Sequence, residues 1–278
     1  MLIFKERREL QQYALKLKRE GKRIGLVPTM GFLHDGHMSL IDIARQKSDV
    51  VIVSIFVNPK QFAPHEDFDR YPRDFEGDVA KCAEHGADVI FAPEIDGMYD
   101  GDSSTWVEET LLAKPLCGAS RPTFYRGVTT VVAKLFLLAQ PDVAVFGLKD
   151  AQQCFVIQRM VRDLDFPVEI IPAPLVRDAD GLALSSRNRY LSADERSRAL
   201  SIHRSLLQAK ADVLAHKTDA METAAAAITA AGGKVDYVEI LDCDTMLAPA
   251  AATRRVIVAA AAFFGTTRLI DNEIFDLQ

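Results

Sequence analysis

The stretch Pro28-Thr29-Met30-Gly31-Phe32-Leu33-His34-Asp35-Gly36-His37 constrains the fold more than any other in this chain. It follows the apolar run Ile24-Gly25-Leu26-Val27 and precedes Met38-Ser39-Leu40-Ile41-Asp42-Ile43-Ala44, whose apolar residues recur at helical spacing. That pattern predicts a strand, a glycine-punctuated turn and a helix. A turn of this kind suits an anion. The first helical turn carries unpaired N–H groups and the positive end of the peptide dipoles, and Gly31 and Gly36 let a phosphate approach the main chain. His34 and His37, three residues apart, fall on one face of the turn. Imidazoles there can donate to phosphate oxygens and take up a proton as charge accumulates at phosphorus. A histidine near a helix start can also be a capping or surface group, and a pair at this spacing can hold a metal. The flanking strand, helix and glycines favour phosphate.

At 278 residues the chain is long enough for one large domain or two smaller ones. A net charge of −6 without a Lys/Arg run argues against a nucleic-acid partner. Cys82, Cys117, Cys154 and Cys243 are scattered, without CxxC spacing, and read as reduced thiols of a cytoplasmic protein with no structural metal site. The chain becomes charged at Lys5-Glu6-Arg7-Arg8-Glu9 before a secretory apolar core can form. Its greasiest runs, Val50 to Val57 and Val256 to Phe264, fall well short of the roughly 20 residues that span a bilayer. No membrane partner is expected.

In chain order, Phe4 to Glu20 reads as an amphipathic helix closed by Gly21. Asp49 to Val57 is a continuous β-branched run of the kind found in a parallel strand covered on both faces, completing a β-α-β unit. The loop Asn58-Pro59-Lys60-Gln61-Phe62 follows directly. Ligands of open α/β sheets bind beyond the carboxyl ends of the strands, which places Asn58 and Gln61 near a substrate, although ordinary turn chemistry is the alternative. A helix over Phe75 to His85 and a strand over Ala87 to Ala92 come next. Gly101 to Glu109 is expected to continue the β structure, and Leu116 to Val128 to form a loop in which Arg126 could face an anion. The helical run Val131 to Leu138 leads to an apolar strand ending at Gly147. After it, Lys149 is a flexible point charge suited to phosphate, and Gln153 offers a donor and an acceptor to a small polar substrate; a surface Lys149–Asp150 pair is the bland alternative.

Phe166 to Ile171 reads as a further strand, and Asp180-Gly181 as a tight turn. Ser185-Ser186-Arg187-Asn188 concentrates hydroxyl, guanidinium and amide donors without an acid, a composition suited to polyphosphate. Ser192 with Glu195 has the spacing of a helix cap. Two alanine-rich helices, near Asp194 to Ala215 and Ala220 to Ala231, and strands at Val235 to Leu241 and Arg255 to Phe264 close the chain. The reading is therefore an α/β parallel-sheet domain over residues 1–175 and a smaller α+β domain over 176–278.

Taken in order, Pro28-Thr29-Met30-Gly31, His34-x-Gly-His37, Asn58-Pro59-x-Gln61-Phe62, Tyr71-Pro72-Arg73 and Arg126-Gly127-Val128 resemble the pantothenate synthetase family. Phe146-Gly147-x-Lys149-Asp150-x-Gln152-Gln153, the run Asp180 to Asn188 and Gly265-Thr266-Thr267-Arg268-Leu269-Ile270-Asp271-Asn272 extend the resemblance over almost the whole chain. The resemblance implies a Rossmann-like nucleotide-binding domain with a C-terminal α+β lid, ATP and magnesium as partners, and a cytoplasmic homodimer. It implies adenylation of pantoate by ATP with release of pyrophosphate, then attack by β-alanine to give pantothenate and AMP. By motif matching, Met30, Gly31, Phe32, Leu33, His34, Asp35, Gly36 and His37 contact ATP, with His37 as proton donor and His34 beside it. Gly147, Leu148, Lys149, Asp150, Val176, Leu184, Ser185, Ser186 and Arg187 supply the remaining nucleotide contacts, Lys149 among the catalytic groups. Gln61 and Gln153 hold pantoate, and Gln61 is also placed near β-alanine.

The chain departs from the family pattern in three places. Thr123-Phe124-Tyr125 stands where Gly-His-Phe is usual, Leu148 replaces a polar residue, and Phe32 is bulkier than usual. Two rival readings share part of the pattern: another His-x-Gly-His nucleotidyltransferase acting on a phosphorylated acceptor, and a nucleotide-binding regulator without catalysis.

Overall fold

The computed structural model describes residues 1–64 and 66–277. The chain divides into two compact units. The first comprises residues 1–109, 121–148 and 156–174; the second comprises 110–120, 149–155 and 175–278.

The first unit is built on six parallel strands: β1 (Leu2–Phe4), β2 (Ile24–Thr29), β3 (Val50–Ile55), β4 (Val89–Phe91), β5 (Val143–Gly147) and β6 (Glu169–Ala173), in the order β1-β4-β3-β2-β5-β6. The helices between them are α1 (Arg7–Arg19), α2 (Asp35–Lys47), α3 (Phe75–Glu84), the single turn α4 (Ile95–Met98) and α6 (Phe124–Ala139). Ile24, Leu26 and Val27 are fully buried, as are Val51, Ile52 and Val53, because both faces of these central strands are covered. Strand order reverses between β2 and β5, the topological switch point of such a sheet. There β2 pairs with β5 only at Gly25 and Leu26, while its pairing with β3 runs on to Thr29. Pro28, which has no N–H to give to a ladder, therefore lies where β2 has already parted from β5.

The second unit holds the antiparallel sheet β7 (Lys234–Asp242), β8 (Arg255–Phe264) and β9 (Thr267–Asp276), with α8 (Ala193–Leu214) and α9 (Ala220–Ala230). Alternate β8 residues Val256, Val258, Ala260, Ala262 and Phe264 join Ala199, Ile202, Leu206, Ala209, Ala220, Ala224 and Ile228 in one buried cluster. Small side chains on both partners let helix and sheet approach closely. Ser192 and Glu195 form the expected capping box at the start of α8. The single turn α5 (Cys117–Ser120) also belongs to this unit, and α7 (Ala151–Asp163) starts in it.

Three local expectations are corrected. Leu2–Phe4 is an edge strand paired with Val89–Phe91, and the helix starts only at Arg7. Residues 103–110 join no sheet, and the N–H and C=O of Val107 are instead taken by the Thr130 and Thr129 hydroxyls, at 3.1 and 2.6 Å. The segment expected to loop from Leu116 to Val128 contains α5, and α6 begins at Phe124, absorbing Arg126 and Gly127. The four thiols are free and buried, and burial pushes Cys82, Cys154 and Cys243 up to about 12. Among the described residues, no helix is long and apolar enough to cross a membrane.

Candidate active site

The turn after β2 is shaped by two consecutive left-handed residues, Gly31 (φ 81°) and Phe32 (φ 52°). A non-glycine residue in that region costs about 1 kcal/mol, so the surroundings must impose the conformation. They do so through Asp78 on α3, whose carboxylate accepts the Phe32 and Leu33 amides at 2.8 and 2.7 Å. Lys81, one turn further along α3, donates to the Leu33 carbonyl at 2.6 Å. Two amides that sequence reasoning offers to a phosphate are thus engaged internally. The first-turn amides of α2 and the two imidazoles lie outside that carboxylate's reach, the kind of helix start that suits an anion.

His34 is the N-cap of α2, and the His34 and His37 rings lie 4.1 Å apart between centroids, tilted by 43°. The His34 backbone N–H donates to His37 Nδ1 at 3.3 Å. Because Nδ1 is an acceptor in this bond, the ring proton of a neutral His37 is assigned to Nε2.

Gln61 closes the short 3-10 turn Pro59–Gln61 after β3 and is buried. Its Nε2 donates to Met30 Sδ at 3.3 Å and its Oε1 accepts from Asn58 Nδ2 at 2.9 Å, so the structure brings Gln61 onto the histidine turn. Asn58 is fixed in turn by the Gly127 carbonyl at 3.1 Å and by the Tyr99 hydroxyl, which donates to its Oδ1 at 3.1 Å. Burial pushes the Tyr99 phenol up, so it remains a donor at neutral pH. Arg121 pairs with Glu66 and also donates to the Gln61 carbonyl, at 2.6 and 3.1 Å. Arg126 is half-buried over the Trp106 indole, 4.5 Å from the ring centroid.

Of the other expected residues, Gly147 and Leu148 belong to the first unit and the rest to the second. Gly147 ends β5 in the first unit, and the 3-10 turn Leu148–Asp150 follows it. Lys149 Nζ lies 3.4 Å from Asp150 in a part-buried pair, and the Lys149 carbonyl accepts from Asn272 at 3.1 Å. The neighbours Gln152 and Gln153 have opposite duties. Gln152 is buried and holds Cys117 N, Leu112 O and Pro115 O, whereas the Gln153 side chain is half-buried and bonds to no protein group among the described residues. Val176 and Leu184 face each other across a hairpin (Leu184 N to Val176 O, 3.0 Å) turned at Gly181, φ 94°. Ser185 caps the 3-10 turn Ser186–Tyr190 by accepting from Arg187 N at 3.2 Å.

Asp78 and Lys81 are the residues that sequence reasoning missed. The available signal was an acid on the buried stripe of α3, one turn before the buried Cys82. Among the described residues, no three His, Cys, Asp or Glu side chains gather to hold a metal ion.

Comparison with known proteins gives a consistent result. A family model described as pantoate-beta-alanine ligase matches residues 2–274. A pantothenate synthetase of Thermotoga neapolitana is 50% identical over 278 residues, covering 99% of each chain. The crystal structure of pantothenate synthetase from Thermus thermophilus superposes with a TM-score of 0.92 at 43% identity, over 98% of this chain and 99% of that one. A pantoate-beta-alanine ligase from Francisella tularensis, described as complexed with beta-gamma ATP and beta-alanine, gives a TM-score of 0.83 at 33% identity over 99% and 97% of the two chains. The parallel sheet with its switch-point histidine turn, the small antiparallel domain and the match along nearly the full length agree: the chain belongs to the pantoate-beta-alanine ligase family.

Proposed function

We propose that the chain condenses pantoate with β-alanine at the expense of ATP, through a pantoyl adenylate. A carboxylate resists attack by an amine because its charge opposes the nucleophile and it lacks a leaving group. In the first step a pantoate carboxylate oxygen bonds to the α-phosphorus while the bond to pyrophosphate breaks. In the second, the β-alanine nitrogen bonds to the acyl carbon, AMP leaves and the amine loses a proton. No protein nucleophile is required, so the protein's work is positioning and charge stabilisation.

The observation that carries this reading is the contact between Gln61 and Met30 at the histidine turn, because it joins a group able to hold a carboxylate to a phosphate-binding helix start. His37 Nε2–H donates to the phosphate as charge moves across it, with His34 beside it. Groups over Met30 to His37 other than the Phe32 and Leu33 amides and the Leu33 carbonyl, which α3 engages, are assigned to the nucleotide with Gly147, Leu148, Asp150, Val176 and Leu184. Lys149, Ser185, Ser186 and Arg187 are assigned to charge on the departing phosphates, and Gln153 joins Gln61 on pantoate. Magnesium enters with ATP as part of the substrate, held by phosphate oxygens and water with at most one or two protein carboxylates. The same reading carries a cytoplasmic homodimer with it.

The test is pyrophosphate release with each substrate omitted in turn. Release should need ATP and pantoate but not β-alanine, and AMP should leave the enzyme when β-alanine is added. A transferase for a phosphorylated acceptor would release none with pantoate, and a regulator would bind ATP without turnover.

A further inference from the structure

We propose that Asp78 is a positioning residue for adenylation: its buried carboxylate fills the anion-binding concavity of the Gly31–Leu33 turn and so fixes where His34 and His37 stand. The proposal rests on the adenylation reading above. The turn points two consecutive amides to one side, a backbone arrangement that binds anions. Here both amides meet one carboxylate, Asp78 Oδ2 on Phe32 N–H at 2.8 Å and Oδ1 on Leu33 N–H at 2.7 Å. Asp78 is 1% exposed, and a Cβ added to Gly31 would lie 3.0 Å from its Oδ2. The concavity is closed to any external anion, and the substrate phosphate is left to the helix start.

The clamp reaches the imidazoles through a short chain of contacts. With Asp78 on its N–H and Lys81 on its C=O, both polar groups of Leu33 are held from α3. The next residue, His34, accepts the His37 and Met38 amides at 2.7 and 3.2 Å and donates its own N–H to His37 Nδ1. The position and tautomer of His37 therefore follow from a peptide plane that α3 fixes. Stability alone does not account for the carboxylate. Burial pushes the Asp78 carboxyl above its ordinary value despite the two backbone bonds, so at neutral pH its ionisation opposes folding.

Asp78→Asn preserves shape but turns an NH2 against one of the two amides. The experiment measures pantoate-dependent pyrophosphate release, aminolysis of supplied pantoyl adenylate, thermal unfolding and the 15N spectrum of the His37 ring. We expect cooperative unfolding, a fall of about 10–100-fold in the rate of pyrophosphate release, aminolysis within about 2-fold of wild type, and loss of the pure Nε2–H signature. Equal losses in both steps, or an unchanged first step, would overturn the proposal. If Asp78→Asn fails to fold, Lys81→Met frees the Leu33 carbonyl and should show the same split at about 3–10-fold; equal losses there overturn it too. A wild-type protein releasing no pyrophosphate would sink the functional reading, and an unaltered His37 ring spectrum in the variant would still refute the positioning claim.

Discussion

Gln61 Nε2 donates to Met30 Sδ at 3.3 Å while its Oε1 accepts from Asn58 at 2.9 Å, so one buried amide joins the turn after β3 to the turn after β2. The thioether is a weak acceptor and yields readily to a carboxylate. A hydrogen bond to a charged group contributes about 1.5–3 kcal/mol. Gln61→Ala should therefore weaken pantoate binding by roughly 10–100-fold and ATP binding by less than about 2-fold, as measured by titration calorimetry. Equal losses for both ligands would remove Gln61 from its assigned job.

Gly127 is the packing counterpart of that arrangement. A Cβ there would lie 2.2 Å from the Lys60 carbonyl oxygen and 2.8 Å from Gln61 N, both backbone atoms that cannot swing aside. Gly127→Ala should cost about 1–3 kcal/mol in urea unfolding, as overpacking does, and should raise the KM for pantoate by displacing the Pro59–Gln61 turn. A stable variant with unchanged KM would show that the turn's position does not matter.

His37 has two jobs that separate on substitution. His37→Ala removes the acceptor of the His34 N–H and the Nε2–H donor assigned to the phosphate; it should cost about 0.5–1.5 kcal/mol of stability. Loss of a group that stabilises transition-state charge should lower pyrophosphate release by about 100–1000-fold. His37→Gln can accept the His34 N–H through its own carbonyl, so it should regain stability without regaining rate. Undiminished turnover in either variant would exclude His37 from the mechanism.

His203 gives the second unit an acid sensitivity. Burial and the nearby Arg177 guanidinium lower its pKa, against the opposing pull of Asp271 and Glu273. A histidine depressed in the folded state stabilises fully above the unfolded value near 6.5 and loses that contribution as pH falls through the folded value. The urea midpoint should therefore drop between about pH 7 and pH 5 more steeply in wild type than in His203→Gln. Parallel slopes would contradict the assignment.

Much of this architecture is legible in local pattern. Ile24 to Val27 and Val50 to Val53 announce buried parallel strands by their apolar composition, and Ser192 with Glu195 marks a helix start within four residues. What is not legible depends on distant partners. Leu2–Phe4 becomes a strand only because Val89–Phe91 offers an edge, and residues 110–120 and 149–155 join the second unit through contacts that no local signal encodes. Gln152 and Gln153 are identical in type and adjacent in sequence; burial against Cys117, Leu112 and Pro115 separates them. Asp78 is hidden for the same reason, since its partners Phe32 and Leu33 lie 46 and 45 residues away.

The adenylate is the centre of the account, and the fate of one oxygen tests it. With pantoate labelled in its carboxylate by heavy oxygen, attack on the α-phosphorus followed by aminolysis leaves one labelled oxygen on the phosphate of AMP. Mass spectrometry of the released AMP should find that label whenever pantothenate forms. Unlabelled AMP, or label in inorganic phosphate with ADP as product, would contradict it.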